Sequence, residues 1–208
     1  MKSDPDISWN EPTQSRSRAK VERILDAALE LAVQNQSLEF KMTDVAKTAR
    51  VAVGTLYQFF PHRSALIARL FAREMAPVDA SISDLFSGDP TLDQLAERVH
   101  VLMRQHLNWI KTRPGLSVIW TAPQIHPDIE RADLANTQAN AAQLATHIAK
   151  TLPNTVPKMQ IDATALLICH LWSSVIRLCV LVDASQSEPL LQQYGAMIVA
   201  HGSALGQP

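Results

Sequence analysis

Between Lys41 and Arg63 the chain gathers side chains suited to a nucleic-acid surface. Thr55 and Gln58 carry the hydroxyl and amide that hydrogen-bond base edges, while the Tyr57 hydroxyl and the Arg63 guanidinium suit phosphate oxygens. Gly54 lets backbone approach backbone, and Leu56 and Phe60 are expected to face inward. Lys41, Thr43, Arg50, Val53 and Phe59 complete the candidate surface, with Arg16 and Arg18 placed to reach along the backbone or into a minor groove. Plainer roles stand beside these: Tyr57 and Phe59 as partly buried aromatics, Lys41, Arg50 and the terminal arginines as solvated cations. Rival chemistries lack their residues. There is no GxSxG, no HExxH and no glycine-rich phosphate loop, and the seven histidines are scattered without metal-ligand spacing. A non-enzyme with no metal and no cofactor is expected. Cys169 and Cys179 fall ten positions apart in a predicted helix. At ~1.5 Å per residue that separates them by about 15 Å, too far to pair within it.

Such side chains reach a groove only if helices hold them there. Val21, Ile24, Leu25, Ala28, Leu31 and Ala32 recur at three- and four-residue steps and predict an amphipathic helix over Arg18 to Gln34. A short second helix is predicted from Phe40 to Ala49, with Met42, Val45, Ala46 and Ala49 inside, and a third from Val53 to Phe59. Pro61 ends the third, and Ser64, a good N-cap, opens a fourth carrying Leu66, Ile67, Leu70 and Phe71. Two short helices around a tight turn, held by a preceding helix, form the unit that sets its second helix into the DNA major groove. Charge agrees. Residues 13 to 73 hold ten basic and five acidic groups, residues 74 to 208 eight and twelve, so a basic head precedes an acidic body. Each phosphate neutralised by such a head releases counterions, although an excess of this size is also an ordinary solvated face.

The stretches SRSRAKVERILDAALELA and TDVAKTARVAVGTLYQFFPHRSAL, above all the run GTLYQFFPHRSAL, resemble the TetR family of transcriptional repressors over about residues 14 to 72. The resemblance implies an all-α regulator with a three-helix helix-turn-helix head and a larger helical body for ligand binding and dimerisation. It implies DNA contacts at Arg18, Lys41, Thr43, Arg50, Val53, Gly54, Thr55, Tyr57, Gln58, Phe59 and Arg63. The implied partners are a double-stranded operator, a second copy of the chain joined through the last two helices, and a small-molecule effector. Three positions depart from the family pattern. Arg50 stands where the turn usually has glycine, Ala52 where a serine caps the recognition helix, and Lys41 where a threonine often caps the second helix. A lost cap costs about 1 kcal/mol, and a non-glycine residue in a left-handed turn about as much. Lys41 and Arg50 also add two cations near the DNA-facing edge.

The whole sequence contains 6 glycines, no alternating strand pattern and no fixed-period repeat. Helices are predicted over Thr91 to Lys111, closed by Arg113-Pro114-Gly115, then Leu116 to Thr121, Pro127 to Thr151, Pro157 to Val182 and Glu188 to Leu205, about nine in total. Pro123 and Pro127 bracket a loop. The expected division is a flexible arm over residues 1–13, a DNA-binding head over 14–73 and a body over 74–208. In the eighth helix one face carries Ile161, Ala165, Ile168, Trp172, Val175, Cys179 and Val182, and another carries Leu167, Leu171, Leu178 and Leu181. A helix apolar on two sides needs two partners, one of them a twin subunit. The ninth offers Gly195, Val199 and Gly202 for close helix approach. His106, Trp109, Trp120, His170, Trp172, Ser173 and Arg177 are candidate walls of a ligand pocket; satisfied core groups or intersubunit hydrogen bonds are the alternatives. No run of about 18 uninterrupted apolar residues and no secretion signal is seen, so no membrane partner and a cytoplasmic location are expected. A helical ligand-binding or scaffold dimer with a weakened head is the alternative function.

Overall fold

In a computed structural model of the chain, the structure describes residues 15–85, 87–88, 90–113, 115–121, 127–152 and 155–205. The expected N-terminal arm, Pro114 of the predicted helix stop and the loop beginning at Pro123 lie outside them. The described residues fold into α1 (Ser15–Asn35), α2 (Met42–Thr48), α3 (Val53–Phe59), α4 (Arg63–Asp84), α5 (Leu92–Thr112), α6 (Leu116–Thr121), α7 (Pro127–Thr151), α8 (Lys158–Leu181) and α9 (Ala184–Leu205). They contain no strand. Two compact units result: Met1–Met75 with Pro114–Asp133, and Ala76–Arg113 with Leu134–Pro208.

In the first unit the stripe of α1 is buried at Val21, Ile24, Leu25, Ala28 and Ala32, as its periodicity requires. Val45 and Ala46 of α2 and Leu56 of α3 complete that core, with Phe60 sealing the end of α3. The turns use side-chain-bearing residues in the left-handed region, Gln36 at φ 50° and Arg50 at φ 54°. Both close the same double hydrogen bond at a helix C-terminus. Arg50 N–H donates to the Lys47 carbonyl (3.1 Å) and Val51 N–H to that of Ala46 (3.0 Å). Neither Lys41 nor Ala52 caps its helix with a side chain. Gly115, at φ 87°, precedes α6 so closely against α1 that an added Cβ would lie 2.6 Å from Val33 Cγ2 and 2.9 Å from Leu29 Cδ1.

In the second unit α5 opens on a capping box, the Gln94 N–H donating to Thr91 Oγ1 and the Thr91 N–H to Gln94 Oε1. α5 packs on α8 and α9, which pack on each other. Ser187 donates its hydroxyl to the Cys179 carbonyl (3.0 Å), and the Tyr194 hydroxyl to that of Ile168, pinning α9 to α8. The buried face of α8 carries Ile161, Ala165, Trp172, Ile176 and Cys179. Leu167, Leu171, Leu178 and Leu181 stand exposed on the other face, Leu181 at 78%. Among the described residues α8 is the one helix long and apolar enough, by length and composition, to cross a membrane. Its apolarity divides between a face packed in its own unit and a face left open.

Most boundaries fall within three residues of those expected, α1 beginning at Ser15 and α2 at Met42, and the informative differences are in α4 and α9. α4 starts at Arg63 and is capped not by Ser64 but by His62, whose Nδ1 accepts from the Ala65 N–H at 3.2 Å. The helix then runs through Pro77 to Asp84, well beyond the apolar stripe that marked it in the sequence. α9 begins at Ala184, ahead of Pro189. Early in a helix proline forfeits one backbone hydrogen bond, and the Gln186 and Ser187 N–H groups already close the preceding turn on the Asp183 carbonyl.

Candidate functional site

The recognition-helix residues lie on α3, which turns Leu56 fully inward and leaves Val53, Gly54, Tyr57 and Gln58 exposed, with Thr55 and Phe59 half-buried. Burial of Leu56 and Phe60 fixes the rotation of the helix, and this rotation presents the polar side chains together. Tyr57 is 44% exposed, so its ring is not a core aromatic. Lys41, Thr43 and Arg50 are exposed around α2 and its turn, and Arg16 and Arg18 on the first turns of α1. Arg63 heads α4, and its guanidinium is already engaged by Glu39. Nη2 donates to Glu39 Oε1 at 3.1 Å while Nη1 pairs with Oε2, both side chains remaining solvent-accessible. This pair is not readable from spacing, because 24 residues separate its members and no periodicity links them. Behind the surface Arg73 ties α4 to α1 through Asp26 (2.8 Å) and Glu22 (3.3 Å).

The candidate pocket residues are divided between the two compact units. Trp120 belongs to the first unit and the other six to the second. His170 is exposed: two residues along α8 from buried Trp172 is about 200° around the helix, the opposite side. Trp109 is half-buried, with the Arg113 guanidinium 5.3 Å from its ring centre, and Ser173 is half-buried. Arg177 is buried and donates from Nη2 to Ser174 Oγ at 3.3 Å.

His106 of α5 and Trp172 of α8 do meet, edge to face, with ring centres 5.4 Å apart. His106 is 5% exposed and Trp172 6%. Neither ring nitrogen of His106 nor the Trp172 indole N–H has a hydrogen-bond partner. Leaving such a group unpaired costs about 1–3 kcal/mol, so three of them in one contact are a considerable expense for a core. Burial pushes the imidazole down to about 4, which makes it neutral near pH 7, with one donor and one acceptor nitrogen. Elsewhere in this unit a groove of about 550 Å³ runs between α5 and α9, with Arg104, Lys111 and Glu188 at its rim. The Glu188 carboxylate there lies 3.1 Å from His100 Nε2 and 3.4 Å from Arg104 Nε.

Comparison with known proteins meets these features from both ends of the chain. Residues 24–70 match the family described as bacterial regulatory proteins of the tetR family, and residues 93–201 match the tetracyclin repressor-like C-terminal domain. The HTH-type transcriptional repressor KstR of Rhodococcus jostii is 28% identical over 169 residues, which is 81% of this chain and 74% of the relative. KstR of Mycobacterium tuberculosis is 40% identical over 74 residues, 36% of this chain and 34% of the relative. Among solved structures, Salmonella enterica GusR superposes with a TM-score of 0.64 at 19% identity, over 95% of this chain and 99% of that one. FadR of Bacillus subtilis, solved with stearoyl-CoA, gives 0.61 at 17%, over 86% and 97%. At such identities these neighbours establish the all-helical fold. The second match alone spans more than half the chain, and with a helix-turn-helix head ahead of it, this protein belongs to the TetR family of transcriptional regulators.

Proposed function

We propose that this regulator is a repressor that binds a pseudo-palindromic operator as a symmetric homodimer and leaves it when a small molecule enters its helical body. The observation that carries the DNA-binding half is the rotation of α3, which hides Leu56 and Phe60 and presents Thr55, Tyr57 and Gln58 beside exposed Lys41 and Arg50. In this reading Thr55 and Gln58 meet bases, and Tyr57, Arg63, Lys41, Thr43, Arg50 and Arg18 meet phosphates, with Val53, Gly54 and Phe59 at the contact surface. The open leucine face of α8 supports dimerisation, since two heads one DNA turn apart read a palindrome. The naming of a relative as a repressor supports the sign of regulation, and the acyl-CoA bound to a structural neighbour supports a small-molecule effector. DNA-binding of this kind places the protein in the cytoplasm. The test is fluorescence anisotropy with duplexes from the promoter beside the gene, at several salt concentrations. Affinity should fall steeply as salt rises and should require a palindromic half-site pair.

The uncapped starts of α2 and α3 favour one rival, a ligand-binding or scaffold dimer whose head no longer holds DNA well. Absence of salt-dependent duplex binding in the same experiment would establish it.

A further inference from the structure

The helical body leaves unpaired hydrogen-bonding groups in one buried contact, and their chemistry restricts what can pair them. The Trp172 indole offers a donor, and the His106 imidazole, having no carboxylate or carbonyl to fix its tautomer, offers one donor and one acceptor. We propose that His106 and Trp172 are the polar recognition point of the effector site, and that the effector meets them with a neutral hydroxyl or carbonyl group on an otherwise apolar molecule. The proposal rests on the reading that the body senses a small molecule.

The apolar part of the assignment follows from the surroundings. One turn away on the same helix faces, α5 carries buried Leu102, Met103 and Ile110 and α8 carries buried Ile176. The neutral part follows from the imidazole itself. Burial holds it unprotonated near pH 7, so it supplies no positive charge to a carboxylate. A hydroxyl oxygen can accept from the Trp172 N–H and donate to the free nitrogen of His106, which uses both kinds of site. A ketone oxygen can accept from both donors. A carboxylate would arrive charged in a setting that desolvates it. Of the cations nearest in sequence, Arg104 of α5 is exposed and paired with Glu188, and Arg177 of α8 donates to Ser174 on its own helix.

Two experiments on the full-length protein test this. First, His106→Phe removes the two unpaired nitrogens without removing ring volume. Without added ligand this variant should melt no lower than the parent at pH 7.5. If it melts several degrees lower, the nitrogens are satisfied by structural water and the proposal fails. Second, a matched set of probes, 1-decanol and 2-decalol, 2-decanone and 2-decalone, and decanoate, is titrated while tryptophan emission and operator anisotropy are followed together. At least one alcohol or ketone should quench emission and release the operator at concentrations tenfold or more below decanoate, and His106→Phe should erase that tenfold preference. Decanoate binding as tightly as the neutral probes, or no neutral probe binding at all, overturns the proposal. Wild-type protein that binds the operator but ignores every neutral probe defeats this inference alone, whereas protein that binds no duplex defeats the regulatory reading beneath it.

Discussion

Arg63 would come to DNA with its guanidinium already held by a carboxylate of its own chain, so a phosphate must displace Glu39. An exposed pair of this kind is worth roughly 0–1 kcal/mol, small enough for a polyanion to break. Glu39→Gln should therefore strengthen operator binding by about 0.5–1 kcal/mol at low salt, whereas Tyr57→Phe or Arg63→Ala should weaken it by about 1–2 kcal/mol without changing sequence preference. Anisotropy against single-base operator variants checks both; relaxed preference at one base would mean that Tyr57 or Arg63 reads sequence. Arg50 offers a different trade. Its φ of 54° is a glycine's conformation, so Arg50→Gly should raise stability by about 1 kcal/mol in chemical denaturation while flattening the salt dependence of DNA binding by about one phosphate. His106 makes stability depend on pH. Its folded value near 4 lies below the usual 6.5, so the unfolded chain binds the proton more readily. The full contribution is present above about pH 6.5 and is lost as pH falls towards 4, by up to about 3 kcal/mol. Denaturation at a series of pH values should show this loss in the parent and its absence in His106→Phe. At this scale the exposed polar set on α3 was legible, because the burial of Leu56 and Phe60 dictates what remains outside. The grip of Glu39 on Arg63 and the His62 cap were not, since each depends on a contact that no spacing encodes.

Elements were the most legible part of the molecule. α3, α6 and α7 begin and end where apolar periodicity and proline placed them. What the periodicity underran were α4 and α9, both of which pass through a proline, because a stop signal in sequence is only the loss of one hydrogen bond in a packed helix. The junction at Gly115 was also hidden: its role comes from the side chains of Leu29 and Val33 in a helix far away in sequence. Gly115→Ala must strain a positive φ and push its Cβ into Val33, so a loss of about 2–3 kcal/mol is expected in urea denaturation. Gly195 should behave in the opposite way. A Cβ there meets nothing within 4 Å although the residue is buried, so the subunit itself tolerates an alanine. If α9 packs against a twin at this point, Gly195→Ala should weaken the dimer with little change in subunit stability, as read by sedimentation and circular dichroism; a wild-type monomer at micromolar concentration would refute the interface.

At the scale of the whole molecule, the chain assigns α6 and the start of α7 to the same compact unit as the head, and α4 has its first turns in one unit and its last in the other. Regulation through the body then requires an effector to prefer one arrangement of the two recognition helices. A hundredfold preference, about 2.7 kcal/mol, would lower operator affinity by up to that factor at saturation. Following the four tryptophans and operator release in one titration checks this; a compound that changes emission yet never alters DNA affinity would show a pocket without coupling. The all-helical class and the place of the head could be read from the sequence, because apolar period and turn chemistry are local. The meeting of His106 with Trp172 could not, because it depends on which faces of distant helices meet. The leucines left uncovered on α8 have one more consequence. If only paired subunits occupy the operator, then at scarce protein the occupied fraction grows with the square of the chain concentration, so each halving of that concentration would lower occupancy about fourfold. Slow changes in synthesis would thus be turned into sharp changes in output before any effector arrives.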